Sequence, residues 1–284
     1  MKNIPVRHIK TELNFSESFS IREVQHMLGG KDMVQELHRH DYFYILVLNK
    51  GKGNHTIDFT AYPIHNYSIF FMRPGQVHQL ILKAGSTGYL MQFKADFYHP
   101  NDKAAGQLLR KAGHTNFCQL EAKRFNKLHA VVTNIFQEYK NKEEGYAEVI
   151  KANLGIFFIE LVRHRQHRQR PAHRAASYEQ ERLEEFLELL ETHSAHHKEV
   201  SHYAGLLNLS RFQLNAITKT TLGKTCTEVM NDYSILEAKR YLLATSNQVT
   251  QIAYHLGYED VSYFIRFFKK HTGYTPEAFR HNFK

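Results

Sequence analysis

Ser210-Arg-Phe-Gln-Leu214-Asn-Ala-Ile-Thr-Lys219-Thr-Thr-Leu-Gly223 is one of two copies of a single pattern, and the other is Asp260-Val-Ser-Tyr-Phe264-Ile-Arg-Phe-Phe-Lys269-Lys-His-Thr-Gly273. Each copy has a Ser or Asp, an apolar residue, a lysine and a glycine at matching positions, offset by 50 residues from Ser210 to Asp260. Ser and Asp are preferred helix N-caps, and glycine tolerates the left-handed conformation that often ends a helix. The repeat therefore predicts two capped helices.

A shorter helical phrase precedes each copy, Val200–Leu207 before the first and Val249–Leu256 before the second. These phrases are offset by 49 residues (200 to 249), so the second turn is one residue longer. Helix, short turn and capped helix form a helix-turn-helix unit, and Ala204 and Ala253 are small enough for the two helices to cross closely. We predict such units at about residues 199–221 and 249–271.

A long helix is predicted between the two units, at about residues 225–245. Its apolar positions recur at helical spacing: Val229, Tyr233, Leu236 and Leu243. About twenty helical residues span about 30 Å, whereas the major groove returns to one face of B-DNA every ~34 Å. One rigid helix would therefore hold two recognition helices at nearly the groove repeat.

The same region resembles the DNA-binding domain of AraC/XylS-type transcription regulators. The resemblance rests on Leu209-Ser210, Gly223-Lys-Thr, Glu237-Ala-Lys-Arg-Tyr-Leu-Leu243, Ile252-Ala-Tyr-His-Leu-Gly-Tyr258, Ser262-Tyr-Phe-Ile-Arg-Phe-Phe-Lys269 and Gly273-Tyr-Thr-Pro-Glu-Ala-Phe-Arg280. It is strong over 179–284 and looser over 15–165. It implies a sequence-specific DNA-binding transcription regulator that responds to a small-molecule effector and works with RNA polymerase.

The resemblance also assigns residues to the DNA-facing sides of the two recognition helices. These are Phe212, Asn215 and Ala216 in the first helix, and Ser262, Tyr263 and Arg266 in the second. Arg266 has the geometry to bind guanine O6 and N7, and Asn215 that to bind adenine. Arg211, Lys219, Lys269 and Lys270 are expected to contact phosphates, which fixes position rather than sequence.

Two residues of the first recognition helix depart from the family pattern. Ala216 stands where the family usually has Arg, and Thr218 where it usually has Phe. We therefore expect weaker or different base readout by this helix. Apolar residues spaced three to four apart are expected in the core: Leu214, Ile217, Leu256, Phe264 and either Phe267 or Phe268. Arg240 is expected either on DNA or in an ion pair with Asp232 or Glu237.

Length and composition indicate two domains in a chain of 284 residues with 42% hydrophobic content and a net charge of +9. We assign 1–165 to a sensor, 166–178 to a basic linker and 179–284 to the DNA-binding domain. Cys118 and Cys226 lie too far apart for a metal or redox motif. The N-terminus lacks an apolar signal region, and no apolar run is long enough to span a membrane. We expect a cytoplasmic protein.

Residues 15–98 read as short strands separated by Gly and Pro turns, which predicts a barrel or sandwich. The run Tyr42–Leu48 predicts a strand buried on both faces. The predicted fold is thus a mixed two-domain chain, with an N-terminal cupin-like β-barrel carrying a helical hairpin and a C-terminal all-α domain.

Two motifs in this region resemble the cupin barrel: His38-Arg-His40, read as lying just before a strand, and Pro74-Gly-Gln-Val-His78. Metal-binding cupins add a Glu, but its slot holds Tyr44. We favour a metal-free pocket at the barrel mouth that binds an organic effector through His38, His40, Tyr44 and His78. Two alternatives are a three-histidine zinc site and histidines that serve only hydrogen bonds at strand edges.

Residues 103–165 have helical periodicity. One apolar stripe runs from Phe125 to Tyr139 and another from Ile150 to Leu161, joined by the short connection Asn141–Gly145. This predicts an antiparallel hairpin. The resemblance implies a homodimer through helices at about 121–162; alternatively, both stripes are buried within one chain.

Two other functions compete with gene regulation. A cupin-type metalloenzyme, a dioxygenase or isomerase with an appended DNA-binding domain, is disfavoured by the missing Glu, so we expect neither catalysis nor a cofactor. A constitutive architectural DNA-binding protein with an empty barrel is the third interpretation.

Overall fold

The computed structural model describes residues 6–7, 18–94, 96–98, 102–168 and 173–283. Contacts divide the chain into two compact units, with the boundary between residues 169 and 170. The first unit is mainly β-structure with three longer helices, and the second is entirely helical over its described residues.

The N-terminal unit contains two five-stranded sheets. One sheet has the order β1-β3-β8-β5-β6 and the other β10-β7-β4-β9-β2. All described strand pairs are antiparallel except β1 with β3. The elements are β1 Val6–Arg7, β2 Phe19–Glu23, α1 Val24–Leu28, β3 Met33–His40, β4 Phe43–Lys50, β5 Gly53–Ile57, β6 Thr60–Ile64, β7 Ser68–Met72, β8 Val77–Leu82, β9 Thr87–Phe93, α2 Lys103–Gly113, β10 Phe117–Gln119, α3 Ala122–Asn141 and α4 Tyr146–Arg168.

Strand β4 is buried on both faces, as its apolar run predicts. Tyr44, Leu46 and Leu48 point into a core shared with strands of the other sheet. Ile45 and Val47 point the opposite way, into a core shared with the helices. This alternation follows from the two-residue period of a strand, and it makes β4 the centre of the unit.

Helices α3 and α4 form the predicted hairpin against the second sheet. Phe125, Leu128 and Val132 of α3 are buried with Leu154 and Phe158 of α4 in one core. The apolar stripes are thus buried within one chain. These residues are therefore not exposed for a dimer contact.

Strand β3 corrects the prediction for the first histidine motif. His38 and His40 precede the predicted strand, β4, but they also lie inside a strand that was not predicted, β3, which spans Met33–His40. The ends of the predicted linker, 166–178, are also helical: α4 continues to Arg168 and α5 begins at His173. The remaining linker positions, 169–172, lie outside the described residues.

The second unit contains both helix-turn-helix motifs. Its elements are α5 His173–His193, α6 Val200–Leu206, α7 Arg211–Leu222, α8 Cys226–Ala244, α9 Val249–His255, α10 Val261–Thr272 and α11 Pro276–Phe283. Four residues separate α6 from α7 (207–210) and five separate α9 from α10 (256–260), so the longer second turn is confirmed.

The caps confirm the repeat. The Ser210 hydroxyl accepts a hydrogen bond from the Gln213 backbone N–H at 3.1 Å, and the Asp260 carboxylate accepts from the Ser262 N–H at 2.7 Å. Gly223 and Gly273 end α7 and α10 with φ of 70° and 80°. Satisfied N–H groups and a left-handed terminus thus fix both ends of each recognition helix.

Helix α8 is the predicted connecting helix, and its 19 residues give it a length of about 28 Å. The predicted core residues of the motifs are buried: Leu214, Ile217, Leu256, Phe264 and Phe268. Phe267 is only partly buried. Arg240 forms an ion pair with Glu237, whereas Asp232 pairs with Lys224. Across the described part of the chain, no helix is both long and apolar enough to cross a membrane.

Candidate nucleic-acid interface and histidine cluster

Helix α7 exposes one side that carries an aromatic ring and basic residues. Phe212 is 82% exposed, and Arg211, Ala216 and Lys219 are exposed beside it. A phenyl ring so far out of the core adds little to folding through burial. It does suit apolar contact with a thymine methyl in the major groove.

Asn215, a predicted base contact, makes a side-chain hydrogen bond within the protein. Its side-chain oxygen accepts a hydrogen bond from the Cys226 N–H at 3.1 Å, which joins α7 to the first turn of α8. Reading adenine uses both the oxygen and the NH₂ of an asparagine, so this bond occupies the acceptor. Thr218 is fully buried and donates to the Asn215 backbone carbonyl at 3.1 Å. Thr218, which stands where the family usually has Phe, therefore lies in the core and not on the exposed side of α7.

Helix α10 exposes the corresponding side of the second motif. Ser262, Tyr263, Arg266 and Lys269 are all exposed. The Arg266 guanidinium lies 3.8 Å from the Asp260 carboxylate, and both side chains are more than half exposed. Because solvent screens such a pair, Arg266 is held only weakly and can exchange Asp260 for a base edge.

A cleft of about 660 Å³ lies between the α5–α6 connection, α8 and the second motif. Its lining includes Lys198, Tyr258, Arg266 and Lys270. Burial lowers the pKa of Lys198 to about 8, and its ammonium lies 4.6 Å from the centre of the Tyr258 ring. Arg266 thus shares this concave surface with Lys198 and Lys270.

The N-terminal unit brings together the three predicted histidines and Tyr44. The His40 and His78 Nε2 atoms are 2.7 Å apart, and the His78 Nδ1 atom is 2.8 Å from His55 Nε2. Tyr44 lies 5.3 Å from the rings of both His40 and His78. His55 was missed by sequence reasoning, although it alternates with Ile57 on β5 and therefore shares its inward face.

The two ring-to-ring bonds restrict how protons are arranged. A neutral imidazole has one N–H donor and one acceptor nitrogen, so His78 must donate to one neighbour and accept from the other. The whole chain of bonds therefore runs in one direction, either from His55 to His40 or from His40 to His55. The cluster behaves as one polar network rather than as separate side chains.

The cluster is buried, which differs from the predicted barrel-mouth pocket. His38, His55 and His78 have no exposed surface, and His40 and Tyr44 retain 4% and 1%. An effector reaches these groups only after the network rearranges. One nitrogen from each of His38, His40 and His78 lies within 4.8 Å of the others. This donor set fits a divalent transition metal, but a metal would replace the bond between His40 and His78.

His55 makes the N-terminal unit sensitive to acid. Burial, with His38 nearby, lowers the pKa of His55 from 6.5 to about 3. Below pH 6.5 His55 takes up a proton in the unfolded chain but stays neutral in the folded one. The contribution of neutral His55 to the free energy of unfolding is therefore fully present above pH 6.5 and declines as the pH falls towards 3. We expect a loss of about 2 kcal/mol from His55 at pH 5, at 1.36 kcal/mol per pH unit.

The test is urea-induced unfolding at pH 7 and pH 5 for the wild type and His55→Phe. The variant keeps His38, His40, His78 and Tyr44, the titratable groups facing this site, but loses the buried base. From pH 7 to pH 5, the free energy of unfolding should fall by about 2 kcal/mol less in the variant than in the wild type. Equal pH dependence in the two proteins would refute the assignment.

The geometry defines a class of protein: a DNA-binding regulator with two helix-turn-helix motifs and a separate β-rich unit. The family description "Helix-turn-helix domain" matches residues 203–282, and "AraC-like ligand binding domain" matches 31–146. The chain belongs to the AraC/XylS family of transcription regulators. It is a transcription regulator with a DNA-binding domain and a ligand-binding domain.

Relatives cover most of the chain at low identity. The HTH-type transcriptional activator RhaS of Pectobacterium atrosepticum is 24% identical over 260 residues, covering 86% of this chain and 87% of its own. The HTH-type transcriptional activator RhaR of Yersinia pseudotuberculosis is 21% identical over 255 residues, covering 87% and 84%. A crystal structure of an AraC-type transcriptional regulator from Chromobacterium violaceum is 24% identical, covers 37% of this chain and 94% of its own, and has a TM-score of 0.35.

Proposed function

We propose that the chain binds a two-part DNA site through the exposed sides of α7 and α10, and that an effector in the N-terminal unit controls this binding. The observation that carries the proposal is the pair of capped helices attached to one 19-residue helix. Selection of bound duplexes from a random pool tests it, with and without cell-extract metabolites. Recovery of no common sequence would contradict it.

Base reading is assigned mainly to Arg266, with Phe212, Ser262 and Tyr263 as further groove contacts. Arg211, Lys219 and Lys269 position the phosphate backbone. Arg266 carries the largest share because a bidentate guanine contact gives more discrimination than one apolar contact to a methyl group. Asn215 instead fixes the corner between α7 and α8.

Replacing Arg266 with Ala should weaken binding to the selected duplex by about 1–3 kcal/mol and relax sequence preference. Lys219→Ala is the matched control: it removes an exposed cation from the other recognition helix. That variant should bind all DNA sequences more weakly by the same factor, and its affinity should depend less steeply on salt concentration. Both are measured by fluorescence anisotropy on selected and scrambled duplexes. Equal losses on the two duplexes for Arg266→Ala would remove its base-reading role.

Effector control is proposed to be a shift between two arrangements of the protein. An effector changes DNA affinity only if it binds one arrangement better than the other. The core between the two sheets, with its histidine network, offers polar groups that an effector can engage by rearranging them. A gel-shift affinity unchanged by every bound effector would contradict control through DNA affinity.

A homodimer is proposed through the outer side of α4, within the helices at about 121–162. Val149, Ile156 and Ile159 are 38%, 48% and 39% exposed, and their spacing places them on one side of the helix. The buried stripes of the hairpin face the sheet instead, so this outer side is what remains for a partner. Apolar side chains grouped in this way mark interaction surfaces.

Ile156→Lys combined with Ile159→Lys should convert a dimer into a monomer, because each buried isoleucine contributes about 1.5–3 kcal/mol. Val34→Lys is the control, since Val34 is 63% exposed on β3. Sedimentation of the full chain at micromolar concentration measures the state. A wild type that sediments only as a monomer would remove the dimer.

The remaining assignments follow from a role in transcription. We infer a cytoplasmic location, where the chain meets double-stranded DNA and RNA polymerase, and no catalytic activity. Tyr44 in place of the cupin carboxylate supports the last point. Stoichiometric iron or manganese in the purified protein, with turnover of an organic substrate, would favour the metalloenzyme alternative.

A further inference from the structure

Three histidines meet where α5 passes into α6, away from the N-terminal cluster. His193 is the last residue of α5, His197 lies in the following turn, and His202 is in α6. The rings of His197 and His202 stack with centroids 3.6 Å apart, and the His193 ring is 5.6 Å from that of His202. One nitrogen from each residue lies within 4.8 Å of the others.

The backbone that carries these rings is fixed on both sides. The His197 N–H donates to the His193 carbonyl at 2.9 Å, and the Tyr203 hydroxyl donates to the His197 carbonyl at 2.8 Å. Tyr203 itself is fully buried and packs against Phe186. The three imidazoles are thus held near one another by the core of the first motif, before any ligand binds.

His202 has a ring nitrogen in need of a partner. Its Nε2 atom is buried and, among the described residues, has no hydrogen-bond partner. A buried polar atom left in this way is destabilising. Desolvation, with His197 and His193 nearby, lowers the pKa of His202. A lowered pKa favours the neutral ring, which is the form that binds metal ions.

We propose that His193, His197 and His202 bind a divalent transition-metal ion, with Zn²⁺ as the probe. Neutral imidazole suits Zn²⁺, and three histidines with water complete a tetrahedral shell. Zn–N bonds of about 2.0–2.1 Å require nitrogens closer together than the present outer limit of 4.8 Å. His197 is exposed, so its ring can leave its stack on His202 and turn to close the set.

The metal would join the end of α5 to the first motif, and the same turn also contacts the second motif. A Cβ added at Gly257 would lie 1.7 Å from the Ala195 carbonyl oxygen, so the backbone of this turn lies directly against the second helix-turn-helix turn. Metal binding should therefore raise the unfolding temperature of the DNA-binding unit, because a ligand that binds only the folded state stabilises it. His197 also lines the cleft that contains Arg266.

Calorimetric titration of the full chain with Zn²⁺ tests the proposal in the wild type and three variants. His197→Ala removes one exposed ligand, and His196→Ala is the matched control, since His196 is the exposed neighbour outside the set. His197→Ala should lose one bound equivalent or at least tenfold in affinity, together with the Zn²⁺-induced rise in unfolding temperature. His196→Ala should behave as the wild type.

His202→Gln is the second ligand variant, and circular dichroism matching the wild type shows that each variant is folded. A further Zn²⁺ ion on the N-terminal histidines changes the total equally in all proteins, so the difference of one equivalent remains diagnostic. Retention of the wild-type number and affinity by both His197→Ala and His202→Gln would overturn the site.

Discussion

Replacing Gly257 with Ala should destabilise the DNA-binding unit by at least about 3 kcal/mol, a loss that combines backbone strain with a steric clash. Gly257 lies in the turn of the second motif with φ of 78°, and an added Cβ would meet the Ala195 carbonyl oxygen at 1.7 Å. That oxygen belongs to the backbone, which cannot turn aside as a flexible side chain can. The turn between α5 and α6 would have to move away from the second motif.

Gly273→Ala is the matched control for this effect. Its φ of 80° is nearly the same, but no atom lies within 4 Å of the added Cβ. The control should therefore lose only the strain of a left-handed residue, about 1–2 kcal/mol. Hydrogen exchange of amides in α9 and α10 measures local stability in both variants. Equal losses would show that contact with Ala195 contributes nothing.

The first motif has a different residue at the position that corresponds to Gly257. Asn208, which is 49 residues before Gly257 (208 to 257), adopts φ of 54°. Asn is one of the few residues with a side chain that tolerates this conformation. The repeat thus preserves the backbone shape of the turn while changing the residue, and the second turn has a glycine where it faces the Ala195 backbone at contact distance.

Local sequence chemistry was sufficient to predict the helices of the DNA-binding unit. Ser210, Asp260, Gly223 and Gly273 determine where helices start and stop through bonds within a few residues, so no knowledge of distant packing is needed. The burial of both faces of β4 was likewise predicted from its unbroken apolar run. These features are local in sequence, and the structure confirms them.

Strand β3 was missed because its inward residues are not apolar. His38 and His40 occupy buried positions, so a search for alternating apolar residues finds no strand there. His55 was missed for a related reason: it joins the network only through β5 pairing with β8. The register between distant strands determines which side chains meet, and that register cannot be predicted from the local pattern of a single sequence.

The role of Asn215 also depended on distant structure. Its position on α7 is compatible with the groove-facing side, and its amide suits adenine. The structure adds the Cys226 N–H at 3.1 Å, a free donor in the first turn of the next helix. Such donors lack partners within their own helix, so a nearby acceptor is drawn into the corner between α7 and α8.

We propose that one stiff helix, α8, sets the distance between two DNA-reading helices. Helix α8 has 19 residues and therefore a length of about 28 Å, close to the ~34 Å that separates equivalent major-groove surfaces on one face of the duplex. A duplex carrying both half-sites should thus be bound through both motifs. Moving one half-site by about half a helical turn places it on the opposite face, beyond the reach of the second motif.

The most direct measurement is the affinity for the selected duplex with five base pairs inserted between its half-sites. We expect a loss of at least about thirtyfold, since losing even two base contacts costs roughly 2–6 kcal/mol. The same insertion placed outside the site is the control and should leave affinity unchanged. An affinity that is equal with and without the internal insertion would show that α8 does not set the spacing of the two half-sites.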